Sequence, residues 1–237
     1  MYNEIISLST PIKLGKWKNT SSLCMYKDGH RTHPISISEE EFHFIRKVIE
    51  TNNLTRGYEV ATAFGISALA AGLGFKNTNG QLLTIDSYIE EQYEWAHGYK
   101  DKKEVHHNSL GYQTAKYLHN YFGVGNIIHC NVGWSPDDVS AIIDRSNLNN
   151  FDFIFIDGHH TDEGLRNDFS AIWPYVNKQR FICLFHDIAR PEDMNEGRTY
   201  IEQTTGLSIV ALGKQPYLND TWGIGLLTNI LDWSKNL

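Results

Sequence analysis

The chain is poor in the features that mark whole classes of protein. It has three cysteines, Cys24, Cys130 and Cys183, too scattered for a disulfide framework, and two of them fall inside apolar runs of strand length. Buried, inert thiols in a reducing, cytoplasmic setting are the expectation. No apolar run approaches the roughly 20 residues needed to cross a bilayer. The N-terminus MYNEIISLSTPIK lacks the basic region and hydrophobic block of a signal peptide. The six prolines never gather with glycine into a linker, and there is no internal repeat or low-complexity tract. Positive charge is also scarce: 21 Lys and Arg against 28 Asp and Glu leave a net charge of −7 with the signs interspersed. That balance argues against a nucleic-acid surface and for a small-molecule partner.

What is present suits one α/β domain with a modest extension, since 237 residues at 41% hydrophobic content supply a full core. The most telling run is FDFIFIDGHH, in which Phe151, Phe153 and Phe155 alternate with Asp152, Ile154 and Ile156 before Asp157, Gly158, His159 and His160. A strand apolar on both faces belongs in the middle of a parallel sheet. Ligands of open α/β sheets bind just beyond the carboxyl ends of such strands. RGYEVATAFG, QLLTIDSY, NIIHCNVG and RFICLFHD repeat the design, ending at Gly65, Asp86, Gly133 and Asp187. Segments of helical length lie between them. His107 to Phe122 places Leu110, Thr114, Tyr117, Leu118 and Tyr121 on one side, and Ala141, Ile142 and Ile143 mark another helix. The alternation predicts a sheet wound with helices on both faces.

Residues 1–37 show no sustained period, and KDGHRTHPISIS reads as loop, so an irregular N-terminal segment or lid precedes a single domain over 38–237. Ser38-Glu39-Glu40-Glu41 is a capping box, followed by the stripe Phe42, Ile45 and Ile49. Ser135-Pro136-Asp137-Asp138 predicts a second helix start, with serine as N-cap and proline at the first helical position. Tyr88 to Val105 is long for a βα connection and reads equally as a substrate-facing cover or a solvated extra helix. Arg190 to Gly197 reads as another loop, and Leu207–Leu212 with Trp222–Thr228 as a closing hairpin.

Glu59 to Ser67 leaves the first strand through a tight turn, and Asp86 ends the second. A turn into a helix N-terminus presents backbone N–H groups, and an acid at the next strand tip accepts from ribose hydroxyls, so the pair reads as a nucleoside crevice. Ala61 and Ala63 stand where glycine is usual, and the missing triple-glycine pattern argues against a dinucleotide-dependent oxidoreductase. Gly65 as a packing glycine and Asp86 as a mere cap are the structural alternatives.

With these elements the chain resembles the class I S-adenosylmethionine-dependent methyltransferases, specifically the small-molecule O-methyltransferases of catechol and macrolide-sugar type. The resemblance runs from Ser38 to Thr228 and rests on the Glu59–Ser67 turn, Asp86, Gly133-Trp134-Ser135, IDGHH and LFHDI. It implies a Rossmann-like, doubly wound, mostly parallel seven-stranded sheet with a C-terminal antiparallel hairpin. It implies that Ser67 and the backbone at Ala61 and Gly65 hold the methionine part of the cofactor above Glu59. Asp86 would bind the ribose, and Gly133, Trp134 and Ser135 would border the adenine. The methyl group of Ala61 is compatible with this where its φ stays negative.

Methyl transfer to a hydroxyl needs alignment and removal of a proton. Asp157 and Asp187 end adjacent strands and are candidate ligands for Mg²⁺ or another divalent cation, which lowers the pKa of a bound hydroxyl. His160 matches the family's basic position and is the candidate base, with His159 flanking the cofactor. Asp157 as a cap or as partner of the cofactor's amino group remains a parallel reading. His186 should face away if Asp187 faces the site, because neighbours on a strand alternate. His106 and His107 read as solvated, and Asp162, Glu163 and Asp168 as partners of the helix dipole. The expectation is therefore an O-methyltransferase acting on a small metabolite, a sugar or polyol-bearing hydroxyl acceptor. It touches no nucleic acid or membrane, and a homodimer is expected only from the frequency of two-fold oligomers. The alternative of another class is a non-catalytic nucleoside-binding scaffold.

Overall fold

A computed structural model describes residues 1, 4–5, 25–27, 32–34, 37–88, 110–188, 194–212 and 223–235. Helix α1 (Glu39–Thr51) starts at the expected capping box: the Glu41 N–H donates to Ser38 Oγ at 3.2 Å and the Ser38 N–H to Glu41 Oε2 at 2.7 Å. Phe42, Ile45, Val48 and Ile49 form its buried face. Strand β3 (Arg56–Val60) follows a short antiparallel pair, β1 (Met25–Lys27) with β2 (Thr32–Pro34). That pair lies within the segment expected to be irregular; strands of three residues are too short to carry a readable period.

From β3 the chain alternates through α2 (Ile66–Thr78), β4 (Gln81–Asp86), α3 (Leu110–Tyr121), β5 (Ile128–Val132), α4 (Val139–Ser146), β6 (Phe153–Ile156), α5 (Asp162–Ile172), β7 (Ile182–Phe185) and α6 (Asn195–Thr205), and closes with β8 (Val210–Leu212) and β9 (Ile224–Thr228). The sheet has seven strands in the order β5-β4-β3-β6-β7-β9-β8. Strands β3 to β7 pair in parallel, while β9 runs antiparallel to both β7 and β8. The chain winds outward from β3 to β5 and then returns to β6 on the other side of β3. The paired strands β3 and β6 thus mark the topological switch point, beyond whose carboxyl ends ligands of open α/β sheets bind.

Every residue of β6 is buried, Phe153 and Phe155 in the core under α1 and α2, Ile154 and Ile156 in the core under α4 and α5. The alternation breaks at Asp152, so Phe151 joins the second core rather than the first. Asp152 instead ties β6 to β3, accepting the Arg56 N–H at 2.9 Å and the Thr55 N–H at 3.0 Å. Helix α2 is buried on nearly every side, and its Gly74 lies where a Cβ would meet Ile49 at 3.0 Å, which allows α1 to approach closely.

Several expected boundaries move. Helix α3 buries Thr114, Ala115, Leu118 and His119, whereas Tyr117 and Tyr121 are exposed and pair with each other at 6.0 Å. Helix α4 begins at Val139 with Asp138 as N-cap, not at Ser135, because the Ser135 hydroxyl is engaged elsewhere. Gly197 lies inside α6 rather than in a loop; 190–193 and 89–105 of the expected loops lie outside the described residues, as do His106 and His107. Among the described residues no helix is long and apolar enough to cross a membrane. Cys130 and Cys183 are free and sit in strands as expected; Cys24 lies outside the described residues.

Candidate active site

The carboxyl ends of β3, β4, β6 and β7 bring two groups of side chains to one edge of the sheet. The first is built on the turn after β3. Its backbone is left-handed at Ala61 (φ 67°), Ala63 (φ 45°) and Gly65 (φ 80°). The expectation of a negative φ at Ala61 is therefore overturned. Two alanines adopt a conformation that costs an L-residue about 1–2 kcal/mol, and neighbouring hydrogen bonds hold them there. The Ala61 N–H donates to the Ile85 carbonyl at 2.9 Å, and the Ala63 N–H to Asp86 Oδ2 at 2.7 Å. The other Asp86 oxygen accepts the Tyr88 N–H. Asp86 thus fastens the β3 turn to the end of β4; burial raises its pKa against the pull of these two hydrogen bonds.

Glu59 lies beneath the turn at 1% exposure. Its Oε1 accepts the Ser67 hydroxyl, and its Oε2 is buried with no hydrogen-bond partner among the described residues. Burial pushes its pKa up to about 8, the Ser67 bond opposes this, and the charges of Asp157 and Asp86 add to it. From α3, His119 reaches the same turn with Nε2 2.9 Å from the Gly65 carbonyl and Nδ1 3.5 Å from Cys130 Sγ. Burial pushes this imidazole down to about 4, so it is neutral and donates to Gly65 from Nε2. A side chain at Gly65 would strike both His119 Nε2, at 2.6 Å, and Ala115.

Gly133 continues the edge by donating its N–H to the Asp86 carbonyl at 2.9 Å. The Trp134 N–H donates to Asp138, and the Ser135 hydroxyl to Asp168 Oδ1 at 2.5 Å. Asp168, expected to serve the helix dipole, is instead a buried acid whose pKa burial pushes up to about 6. It also receives the His159 N–H, and Gly158 packs against its carboxylate. Its inward position follows from the stripe Leu165, Asp168, Phe169 and Ile172, a helical period that the acid interrupts.

The second group surrounds Asp157. Asp157 Oδ1 lies 3.2 Å from His160 Nε2 and 3.0 Å from His186 Nδ1. Asp187 Oδ2 lies 3.4 Å from His186 Nδ1 and 3.7 Å from His160 Nδ1. His186 Nε2 stands 3.5 Å from Glu41 Oε2 of α1. Burial alone would raise the Asp157 pKa, but the charges and hydrogen bonds of His186 and His160 hold it far below the usual range. Both histidines are raised against the effect of burial by the acids they face. Thr161 caps α5 by accepting the Gly164 N–H at 3.0 Å, which fixes the loop that carries His160. His159 is exposed at the rim.

His186 was expected to face away from Asp187. Strand β7 ends at Phe185, and Asp187 turns left-handed at φ 56°, so the alternation stops before these residues and both side chains enter the cluster. Asp157, His186 and Asp187 each offer a ligand atom, all within 4.8 Å of one another. Glu41 escaped the sequence reading because the capping box already accounts for it.

Residues 58–188 match the family model described as methyltransferase domain. No curated protein matches the chain. Among solved structures, an O-methyltransferase from Bacillus cereus in complex with SAH superposes with a TM-score of 0.59 at 14% identity, covering 81% of each chain. An O-methyltransferase of tomaymycin synthesis from Streptomyces achromogenes, in complex with SAM, gives 0.60 at 14% identity over 82% of this chain and 81% of its own. A putative O-methyltransferase from Klebsiella pneumoniae gives 0.63 at 14% identity over 95% and 87%. At such identity these are likenesses of fold.

Proposed function

The chain belongs to the methyltransferase-domain family, whose model spans more than half of it, and from that premise we propose an S-adenosylmethionine-dependent O-methyltransferase acting on a hydroxyl of a small, sugar- or polyol-bearing metabolite with the help of a divalent cation. One observation carries the reading: Glu59 Oε2 is buried, without a hydrogen-bond partner among the described residues, and under the charge of the further acids Asp157 and Asp86. Such a cradle fits a ligand that brings positive charge, as the ammonium and sulfonium groups of S-adenosylmethionine do. The structural relatives carrying SAH and SAM support the same ligand.

S-adenosylmethionine, when bound, would supply an electrophilic methyl group, and Asp157 and Asp187 would hold a divalent cation whose charge would lower the pKa of the acceptor hydroxyl. The residues do the remainder. Ser67, Glu59 and the backbone at Ala61 and Gly65 hold the methionine part, Asp86 accepts from the ribose, and Gly133, Trp134 and Ser135 border the adenine. His159 flanks the cofactor. His160 would accept the hydroxyl proton on the nitrogen not bonded to Asp157, and transfer of the methyl group to that oxygen would leave S-adenosylhomocysteine as the product. Residues 1–37, 88–105 and the loop after Asp187 select the acceptor around the single domain at 38–237.

Asp157→Ala and Asp187→Ala should each abolish turnover while leaving the circular dichroism spectrum unchanged; full activity in both would refute the roles given to these acids. The left-handed Ala61 and Ala63 support a second reading, a nucleoside-binding scaffold without turnover. S-adenosylhomocysteine that raises the melting temperature of a protein inactive on every acceptor tested would select that reading.

A further inference from the structure

The His186 ring addresses acids through both nitrogens. Nε2 stands at ion-pair distance, 3.5 Å, from Glu41 Oε2 and makes no hydrogen bond among the described residues, so Glu41 is the one acid in place to take its proton. Nδ1 stands 3.0 Å from Asp157 Oδ1 and 3.4 Å from Asp187 Oδ2. Glu41 is itself fixed, because its Oε2 accepts the Ser38 N–H of the capping box at 2.7 Å. We propose that Glu41 holds the Nε2–H form of His186, so that Nδ1 joins one oxygen each of Asp157 and Asp187 in a nitrogen-containing site selective for a first-row transition-metal dication over Mg²⁺. The proposal rests on the divalent-cation part of the methyltransferase reading and narrows the Mg²⁺ or other divalent cation expected from the sequence to a transition metal.

Three features support it. The first is spacing: neighbouring ligands about 2.1 Å from an ion, the usual bond length for these metals and donors, stand roughly 3.0–3.4 Å apart. The separations of 3.0 and 3.4 Å around His186 Nδ1 match that edge. The second is donor chemistry. Imidazole suits zinc, iron, copper and nickel, whereas Mg²⁺ takes oxygen ligands and gives up water reluctantly. The third is the carboxylate behind the imidazole, the usual partner that fixes the tautomer of a ligating histidine. Asp187 Oδ1 is also buried without a hydrogen-bond partner among the described residues, leaving an acceptor over at the site. His160, with Nε2 3.2 Å from Asp157 Oδ1 and Nδ1 3.7 Å from Asp187 Oδ2, is not among the three residues whose ligand atoms lie within 4.8 Å of one another, and it stays outside the donor set.

The test uses the full chain stripped of metal with chelator and titrated with Mn²⁺ by electron paramagnetic resonance, with Co²⁺ by visible absorption, and with Mg²⁺ by competition. Wild type should bind Mn²⁺ and Co²⁺ at least roughly 100-fold more tightly than Mg²⁺, following the order expected for a nitrogen-containing site. His186→Asp, an all-oxygen set, should narrow that ratio at least tenfold and shift the Co²⁺ spectrum; His186→Asn serves if the aspartate variant does not fold. Glu41→Gln keeps the capping box, which accepts glutamine, and should weaken Mn²⁺ binding roughly 10–100-fold. A wild type that binds no dication, or binds Mg²⁺ as tightly as Mn²⁺, overturns the proposal, and so does unchanged selectivity in His186→Asp. Thermal shift of the metal-free protein with S-adenosylhomocysteine is read separately. Its failure would count against the methyltransferase reading, whereas the metal titrations judge the ion site.

Discussion

Replacing Glu59 with glutamine should change how stability depends on pH, and the size of the change follows from the burial of this one carboxyl. In the folded chain its pKa rises from 4.5 to about 8. An acid whose folded pKa is raised contributes stability that is fully present below the unfolded pKa and is lost as pH climbs through the folded one. Between pH 4.5 and 8 the wild type therefore loses about 1.4 kcal/mol per pH unit on account of Glu59, or on the order of 3 kcal/mol by pH 7. Glutamine does not titrate and still offers an oxygen to the Ser67 hydroxyl. Its buried amide hydrogens add a fixed penalty of about 1–3 kcal/mol that is the same at every pH. The quantity to read is thus the slope of the difference. Urea unfolding followed by circular dichroism at pH 5, 6, 7 and 8 should show the variant gaining on wild type with each step. Parallel curves for the two proteins would refute the assignment of a neutral, buried Glu59. Saturating S-adenosylhomocysteine should flatten the wild-type slope, because an ammonium beside Oε2 favours the ionised carboxylate. Its affinity should accordingly rise with pH in wild type and stay level in Glu59→Gln.

Ala61→Gly relieves a left-handed alanine at φ 67°; after glycine's greater chain entropy is subtracted, the melting temperature should rise roughly 1–4 °C. Ala68→Gly in the buried interior of α2 should lower it by several degrees, and a fall in both would refute the strain argument. His119→Phe removes the donor to Gly65 and should weaken S-adenosylhomocysteine binding roughly five- to tenfold by calorimetry, with His119→Gln restoring most of it. Wild-type affinity in a destabilised His119→Phe would make the residue purely structural. Asp152→Ala strips the acceptor from two backbone N–H groups at the opposite end of β3 and should cost about 2–4 kcal/mol in urea unfolding without altering ligand affinity.

The strands that carry the site were legible because parallel, doubly covered strands read as apolar runs with a polar terminus. Glu59, Asp86, Asp157 and Asp187 all stand at or near such a terminus, and the structure brings them to one edge. The rest was hidden for separate reasons. Strand alternation was extended one residue too far at His186, where a left-handed Asp187 resets the direction of the chain. Glu41 had a sufficient local explanation as a cap, so its second contact, across the sheet edge to His186, left no trace in spacing. Ser135 fits an N-cap by type, yet its hydroxyl is committed to Asp168, more than thirty residues away. On α3 Thr114 and Leu118 are buried as the period suggested, but Ala115 and His119 take the places expected of Tyr117 and Tyr121, since α3 lies close against the β3 turn.

The winding order places β3 inside the sheet, with β4 on one flank and the central strand β6 on the other. A chain emerging from its N-terminus can form the Glu59 turn and the Asp86 clasp early, yet the crevice has only one wall until β6 crosses back over β3. The opposing wall depends on pairings between residues about a hundred positions apart, the kind that form last and slowest. Ligand capture should therefore appear as a late, all-or-none event in refolding, and a fragment ending before β6 should be unable to trap the nucleoside however well its own strands assemble.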